Sequence, residues 1–374
     1  MSIWSFPTKI VFGAGEIRRL GQETVALGIQ RVLLVADAGV ERTGLLKAPL
    51  SALNEAGLSS SVFTGVEGNP TEQNVEDGSK AYAAHQAQGV VAVGGGSPMD
   101  AAKLIALRAK CSLPFEELDD AIDGGVHIPR DVPPIITVPT TAGTGSEVGR
   151  SGVLTVRSTG RKTVIFSPHL LAKVAILDPE LTVSMPPGVT AATGFDALTH
   201  CVEAYLATGD HPLADAIALG GIELVAQHLL RAVETPGDLE ARGGMMKAAM
   251  MGAIAFQKGL GACHSLAHPL SSEHGLHHGL ANALCLPAVI AFNTSAVPER
   301  VRRVGALLGN ANDAANAIAG LRARVGINGG LASSGIREEH LLPLAMKALE
   351  DACHRSNPRP CTEADLLELY RASL

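Results

Sequence analysis

Aromatic side chains are scarce, with one Trp, three Tyr and eight Phe in 374 residues. A surface that stacks nucleic-acid bases interleaves aromatic rings with basic side chains, and the chain has neither that pattern nor any basic run. Charge is thin as well, 18% of residues with a net of -7, which argues against an anionic membrane surface as a partner. The six cysteines, at 111, 201, 263, 285, 353 and 361, form no CxxC pair and fall far short of a disulfide scaffold, so reduced thiols are expected. No uninterrupted apolar run approaches the roughly 20 residues of a membrane span. The opening "MSIWSFPTKIVF" lacks the basic start and apolar core of a secretory leader. The expectation is a cytoplasmic protein that binds small molecules, neither nucleic acid nor membrane.

What the chain does have is aliphatic bulk, with 46% hydrophobic residues, and enough length for two domains. Near-continuous apolar runs alternate with helical stretches through the first part: "RVLLVAD" at 31, "SSVFTGV" at 60, "GVVAVGGG" at 89, "PPIITVPTT" at 133 and "KVAILDP" at 173. That is the pattern of a mostly parallel sheet covered on both faces. Beyond "DPELTVSMPPGVT" the chain reads as successive helices, such as "HPLADAIALGGIELVAQHLLRAVE" and "HLLPLAMKALEDACHR". An α/β domain over residues 1–180 and an all-helical domain over 181–374 are predicted.

Ligands of open α/β sheets bind beyond the carboxyl ends of the strands. In "VVAVGGGSPMDAAK", Gly94, Gly95 and Gly96 follow a strand, while Ser97, Pro98 and Asp100 read as N-cap, first-turn proline and N3 carboxylate of a helix. Such a turn either simply caps the helix or offers backbone amides to a phosphate. It is neither a Walker loop nor G-x-G-x-x-G. In "VPTTAGTGSEV", Thr140, Thr141, Thr144 and Ser146 crowd hydroxyls around two glycines, either as a solvated loop or as a polar ligand site. Asp37 ends "RVLLVAD", where a carboxylate can accept from a ribose hydroxyl and repel a 2'-phosphate, or serve a local turn.

The helical half concentrates histidine. "HSLAHPLSSEHGLHH" holds five of the chain's thirteen. Asp196 and His200 are four residues apart, as are His264 and His268, so each pair projects from one helix face. One carboxylate with several imidazoles suits Fe(II) or Zn(II), whereas a lone pair of such residues is equally consistent with hydrogen-bonded core histidines.

"GGGSPMDAAK", "PTTAGTGSEV", "DALTHCVEAY" and "HSLAHPL…HHGLANALCLP", in this order and spacing, resemble the iron-containing (type III) alcohol dehydrogenase family over nearly the whole chain. The resemblance implies an N-terminal dinucleotide-binding domain, a helical C-terminal domain and a catalytic divalent metal in the cleft between them. It implies Asp196, His200, His264 and His278 as metal ligands, and His268 as a histidine near the nicotinamide that does not bind the metal. It further implies Gly95, Gly96 and Ser97 at the pyrophosphate, with Thr140, Thr141 and Thr144 lining the cofactor and Asp37 favouring NAD. Fe(II) is the expected ion, with Zn(II) and Mn(II) as alternatives, and a homodimer or larger homo-oligomer is expected. His274 and His277 receive no role, and Cys201 and Cys263 are expected to be core residues.

The implied reaction moves a hydride between an alcohol or its aldehyde and C4 of the nicotinamide, with His268 as proton relay. "FQKGLGACH" is one residue shorter than the family's frequent spacing; Phe256 and Lys258 there, with Arg150 in "EVGRSG", are candidate substrate residues. The two cations could hold a hydroxy acid or semialdehyde. The alternatives are a dehydroquinate synthase-like lyase, which uses NAD and a metal, and a non-catalytic nucleotide or metal sensor.

Overall fold

The strand-forming runs place apolar residues at consecutive positions, which a sheet can bury only if both faces are covered. The structure, a computed structural model, describes residues 8–158 and 160–374; residues 1–7, where a leader pattern was sought, lie outside them. Eight strands occur among the described residues: β1 (Lys9–Phe12), β2 (Arg31–Asp37), β3 (Ser59–Val66), β4 (Gly89–Gly94), β5 (Ile135–Pro139), β6 (Ser151–Thr155), β7 (Lys162–Phe166) and β8 (Val174–Leu177). Six of them form an all-parallel sheet in the order β1-β8-β5-β4-β2-β3, and β6 and β7 pair as an antiparallel ribbon.

Alternate residues of the central strands serve opposite cores. Leu33, Val35, Val90, Ala92 and Ile135 pack with Val75 of α4 (Glu72–Ala84) and with Met99, Leu104 and Ile105 of α5 (Gly96–Arg108). Val32, Leu34, Val91, Val93, Ile136 and Val138 face the other way, onto Leu20 of α1 (Leu20–Ala26), Val40 of α2 (Ala38–Arg42) and Leu53 of α3 (Lys47–Glu55). The chain leaves β2 towards β3 on one side and returns to β4 on the other. The switch point of this doubly wound sheet therefore lies between the carboxyl ends of β2 and β4, at Asp37 and Gly94.

Sequence reading missed β1, β6 and β7. The first is a four-residue edge strand, and the other two alternate half-exposed and buried residues, which a search for continuous apolar runs passes over.

The chain divides into two compact units, one helical (Ala142–Gly145 and Met185–Leu374) and one α/β (the described part of Phe6–Thr141, with Ser146–Ser184). The helical unit contains α6 (Pro187–Leu206), α7 (Pro212–Glu234), α8 (Leu239–Ala255), α9 (Ala262–His274), α10 (His278–Asn293), α11 (Pro298–Leu307), α12 (Ala314–Arg324), α13 (Glu338–Glu350) and α14 (Glu363–Ala372). No strand occurs there among its described residues. Every residue of α6 from Thr190 to Leu206 is buried, and α7, α8 and α10 pack around it. By length and composition α7 could cross a membrane; it carries Asp215, Glu223 and Arg231 and packs against α6 and α8.

Candidate active site

In the α/β unit the two ligand-like loops meet because β4 and β5 are adjacent, with Gly94 opposite Pro139 in the register. The Thr140 amide donates to the Gly94 carbonyl at 2.9 Å. Gly94 has φ +149°, and a Cβ there would lie 2.7 Å from Pro98 Cγ, so only glycine fits the turn without strain. The helix start differs from expectation. Gly95 is the N-cap of α5 and no side chain caps it, so Ser97 falls inside the first turn. The opening amides of the helix thus have no side-chain oxygen competing for them, which suits an anion.

Asp100 does not face that turn as a ligand. Its carboxylate accepts from Ser146 Oγ at 2.5 Å and from the Val153 amide at 3.3 Å. The fully buried ammonium of Lys103 donates to Ser146 Oγ and to the Ser151 carbonyl, both at 2.8 Å. These bonds fasten the threonine loop to α5 from beneath. Glu147 in that loop is buried, and burial pushes its carboxyl up to about 7 despite the nearby Lys103. Asp37 does local work: its Oδ1 accepts from the Val40 amide at 2.9 Å and caps α2. Thr140 is buried and Thr141 half-buried in the α/β unit, whereas Thr144 is half-buried in the Ala142–Gly145 segment of the helical unit.

The helical unit gathers the histidines. Asp196, His200 and Glu203 share one stripe of α6. His264 and His268 come from α9, and His278 opens α10. A Cβ on Gly279 would lie 2.2 Å from the Ala192 carbonyl, so the start of α10 rests directly on the backbone of α6. That close approach brings His278 Nε2 to 3.4 Å from Asp196 Oδ1. Asp196, His200 and His264 place donor atoms within 4.8 Å of one another, and the rings of His264 and His278 lie 5.4 Å apart. The four residues assigned as ligands therefore converge, which their separation in sequence did not require.

The surroundings suit a cation. Burial favours protonation of Asp196, but the imidazoles of His200, His278 and His264 outweigh it and hold the carboxyl below its usual value. Burial dominates at His200 and pushes it down to about 4, leaving a neutral imidazole with a lone pair to give. At His264 burial is outweighed by Glu203, whose Oε2 lies 2.6 Å from Nδ1, and the ring's pKa rises. With Nδ1–H donating to Glu203, Nε2 faces the cluster as a lone pair. Glu203 is itself fixed by the Cys263 amide at 2.6 Å, and Asn282 Nδ2 donates to Asp196 Oδ1 at 2.8 Å. One carboxylate and three imidazoles, with Asp196 and His264 fixed in orientation by Asn282 and Glu203, fit a divalent first-row ion.

Sequence reading missed Glu203, Asn282 and Asp351. The first had a signal, since "DALTHCVEAY" puts Glu203 on the face of Asp196. Asp351 had none, lying in the turn after α13, far along the chain from its partner His268. Its Oδ2 is 2.7 Å from His268 Nδ1, and its Oδ1 accepts from Ser265 Oγ and the Cys353 amide, both at 2.8 Å. Burial alone would raise the Asp351 carboxyl, but these donors, His268 foremost, hold it well below the usual range. The Cys353 thiol also lies in this group.

The remaining candidates separate. The Phe256 ring is 5.2 Å from that of His200, beside the cluster. Lys258, expected to meet a substrate anion, is buried and committed elsewhere, donating to Asp215 Oδ1 at 2.5 Å and to the Tyr205 carbonyl at 2.9 Å. Burying an ammonium demands such partners, so it is not available to a substrate. Arg150 sits in the α/β unit with its guanidinium 5.1 Å from the Phe166 ring centre. His274 is exposed with its ring 4.8 Å from that of His340, and His277 is an exposed residue just before α10. Cys201 and Cys263 are buried, and burial pushes the Cys201 thiol up to about 12.

Residues 7–179 match the family model described as "Iron-containing alcohol dehydrogenase", and residues 190–374 match "Fe-containing alcohol dehydrogenase family, C-terminal". The chain is 40% identical to a 4-hydroxybutyrate dehydrogenase of Cupriavidus necator, with all of both chains covered. Its fold superposes on a 1,3-propanediol oxidoreductase crystal structure with a TM-score of 0.96, at 36% identity and full coverage of both chains. It also matches a sulfoacetaldehyde reductase of Bifidobacterium kashiwanohense in complex with NAD+ (TM-score 0.91, 32% identity, 100% of this chain and 99% of that one).

Proposed function

Because the chain belongs to the iron-containing alcohol dehydrogenase family, we propose that it interconverts a small primary alcohol and its aldehyde, with NAD(H) as the hydride carrier. The observation that carries this reading is the convergence of Asp196, His200, His264 and His278, backed by Glu203. These four would hold the divalent ion, Fe(II) first, with Zn(II) or Mn(II) as alternatives. A divalent cation there supplies Lewis acidity to the oxygen that loses its proton when the alcohol is oxidised.

The chain's own groups do the rest. Glu203 and Asn282 hold His264 and Asp196 in orientation, and Phe256 gives the cluster an apolar neighbour. The amides that open α5, at Gly95, Gly96 and Ser97, would bind the pyrophosphate, and Asp37 a ribose hydroxyl. Thr140, Thr141 and Thr144 would line the cofactor. A bound nicotinamide would supply the hydride acceptor, and His268, whose side chain is 36% exposed, would take the hydroxyl proton of the alcohol and release it to water.

The 4-hydroxybutyrate dehydrogenase relative keeps a hydroxy acid among the candidate substrates, although Lys258 is not free to bind its carboxylate. Formation of NADH from 1-butanol, 1,3-propanediol and 4-hydroxybutyrate, by enzyme reconstituted with each ion, tests the proposal. No net NADH from any of them would favour the lyase. A homo-oligomer in the cytoplasm completes the reading, and light scattering of the purified protein checks its assembly.

A further inference from the structure

His268 has a fixed side and an open side. Its Nδ1 is 2.7 Å from Asp351 Oδ2, while Nε2 has no hydrogen-bond partner among the described residues. The ring stacks on that of His278, with centroids 5.3 Å apart and planes 15° from parallel, so its edge is held beside the ligand cluster. Asp351 is not a loosely placed surface acid. Its other oxygen takes two hydrogen bonds, from the Ser265 hydroxyl and the Cys353 amide. Ser265 is in turn set by the His354 amide, which donates to its Oγ at 2.9 Å. Ser265 and His268 lie on α9, and residues 351–354 form the turn after α13, so the network ties the histidine's own helix to a second element. His268, Asp351 and Cys353 could also be viewed as a small metal group, but the imidazole and carboxylate are already at hydrogen-bonding distance, and an ion between them would have to break that bond.

We infer that Asp351 is a positioning residue for the dehydrogenase reaction: it fixes His268 as the Nδ1–H tautomer, so that Nε2 carries the lone pair that accepts the alcohol proton. The inference rests on the proposed role of His268 as proton relay. The chemistry gives it a sharp consequence. In Asp351→Asn the amide oxygen must stay where Oδ1 is, because the Cys353 backbone N–H can only donate. The amide NH2 then faces His268 Nδ1, which must accept, and the proton moves to Nε2, where it blocks acceptance of another. A similar tautomer reversal in serine proteases lowers kcat strongly.

The test is a double-mutant cycle read in kcat, alcohol KM, metal content and NADH affinity. Asp351→Asn is expected to lower kcat on the order of 100-fold, with KM, bound metal and NADH affinity unchanged. Placed in a His268→Ala background it should change kcat less than about twofold, because residues acting as one unit are not additive. Ser265→Ala, which removes only one donor to Asp351, should lower kcat several-fold by the same route and serves if the Asn variant does not fold. Normal kcat in Asp351→Asn with a slow His268→Ala overturns this inference alone, as does a full additive loss in the double variant. Full turnover in His268→Ala overturns the proton-relay reading, and this inference with it.

Discussion

The α/β unit and the helical unit build their sites by opposite means. At the end of β4 the surface proposed to face the cofactor is backbone, and the sequence signals it by omission, with three glycines where side chains would stand in the way. In the helical unit the surface consists of side chains, and three of them are set by a partner: Glu203 behind His264, Asn282 beside Asp196, Asp351 behind His268. A backbone site is lost by adding atoms, a side-chain site by removing them. Substitutions in the two units should therefore fail differently.

The largest effect belongs to His264→Ala. Loss of one imidazole from four donors should abolish metal retention and cut turnover on the order of a thousandfold or more, since a Lewis acid contributes several kcal/mol and each tenfold costs about 1.4 kcal/mol. Metal analysis of the purified variant beside its kcat decides it; a full complement of metal would remove His264 from the ligand set.

Glu203→Gln should come next, weakening metal affinity about 10- to 100-fold while leaving NADH binding intact, because the lost group orients a ligand without being one. Competition with a calibrated chelator measures this directly. Gly94→Ala reverses the pattern. With φ +149° and Pro98 Cγ 2.7 Å from the added Cβ, the turn must shift. NADH affinity should fall about tenfold, given the 1–3 kcal/mol typical of such strain, with metal content unchanged. If Gly94→Ala lost metal, or Glu203→Gln lost NADH affinity first, the contrast between the units would collapse.

The same contrast governs how much could be read from the string. The glycine turn, the parallel strands and the i,i+4 pairs of α6 and α9 are local patterns, and local patterns survive in one dimension. That Asp196 and His278 come together depends on the bare face of Gly279 against α6, which spacing alone cannot reveal. Asp351 and His268 are 83 positions apart. Lys258 misled for the converse reason: a lysine near a site motif reads as a free cation until the fold shows Asp215 and the Tyr205 carbonyl around it. Ser97 misled because the helix starts two residues earlier than a polar N-cap would suggest.

The last expected effect is on stability, not on turnover or binding, and lies beneath the loops proposed to hold the cofactor. Glu147 is buried and titrates near 7 in the folded chain, against 4.5 for an unperturbed carboxyl. Between those values the folded protein keeps a proton that the unfolded chain releases, so the unfolded state binds fewer protons and stability falls as pH rises from about 4.5 to about 7. Below that window the contribution is fully present, and above it the contribution is lost. At about 1.4 kcal/mol per pKa unit the span is on the order of 3 kcal/mol, what remains after the nearby Lys103 has offset part of the burial. Glu147→Gln keeps the shape of the neutral acid and removes the proton. The variant should match the wild type in melting temperature near pH 4.5 and exceed it by several degrees at pH 8. Parallel melting curves across that range would mean that Glu147 is ionised in its pocket, with the Lys103 ammonium as counterion, and that the threonine loop is held by charge as well as by the Asp100–Ser146 hydrogen bond.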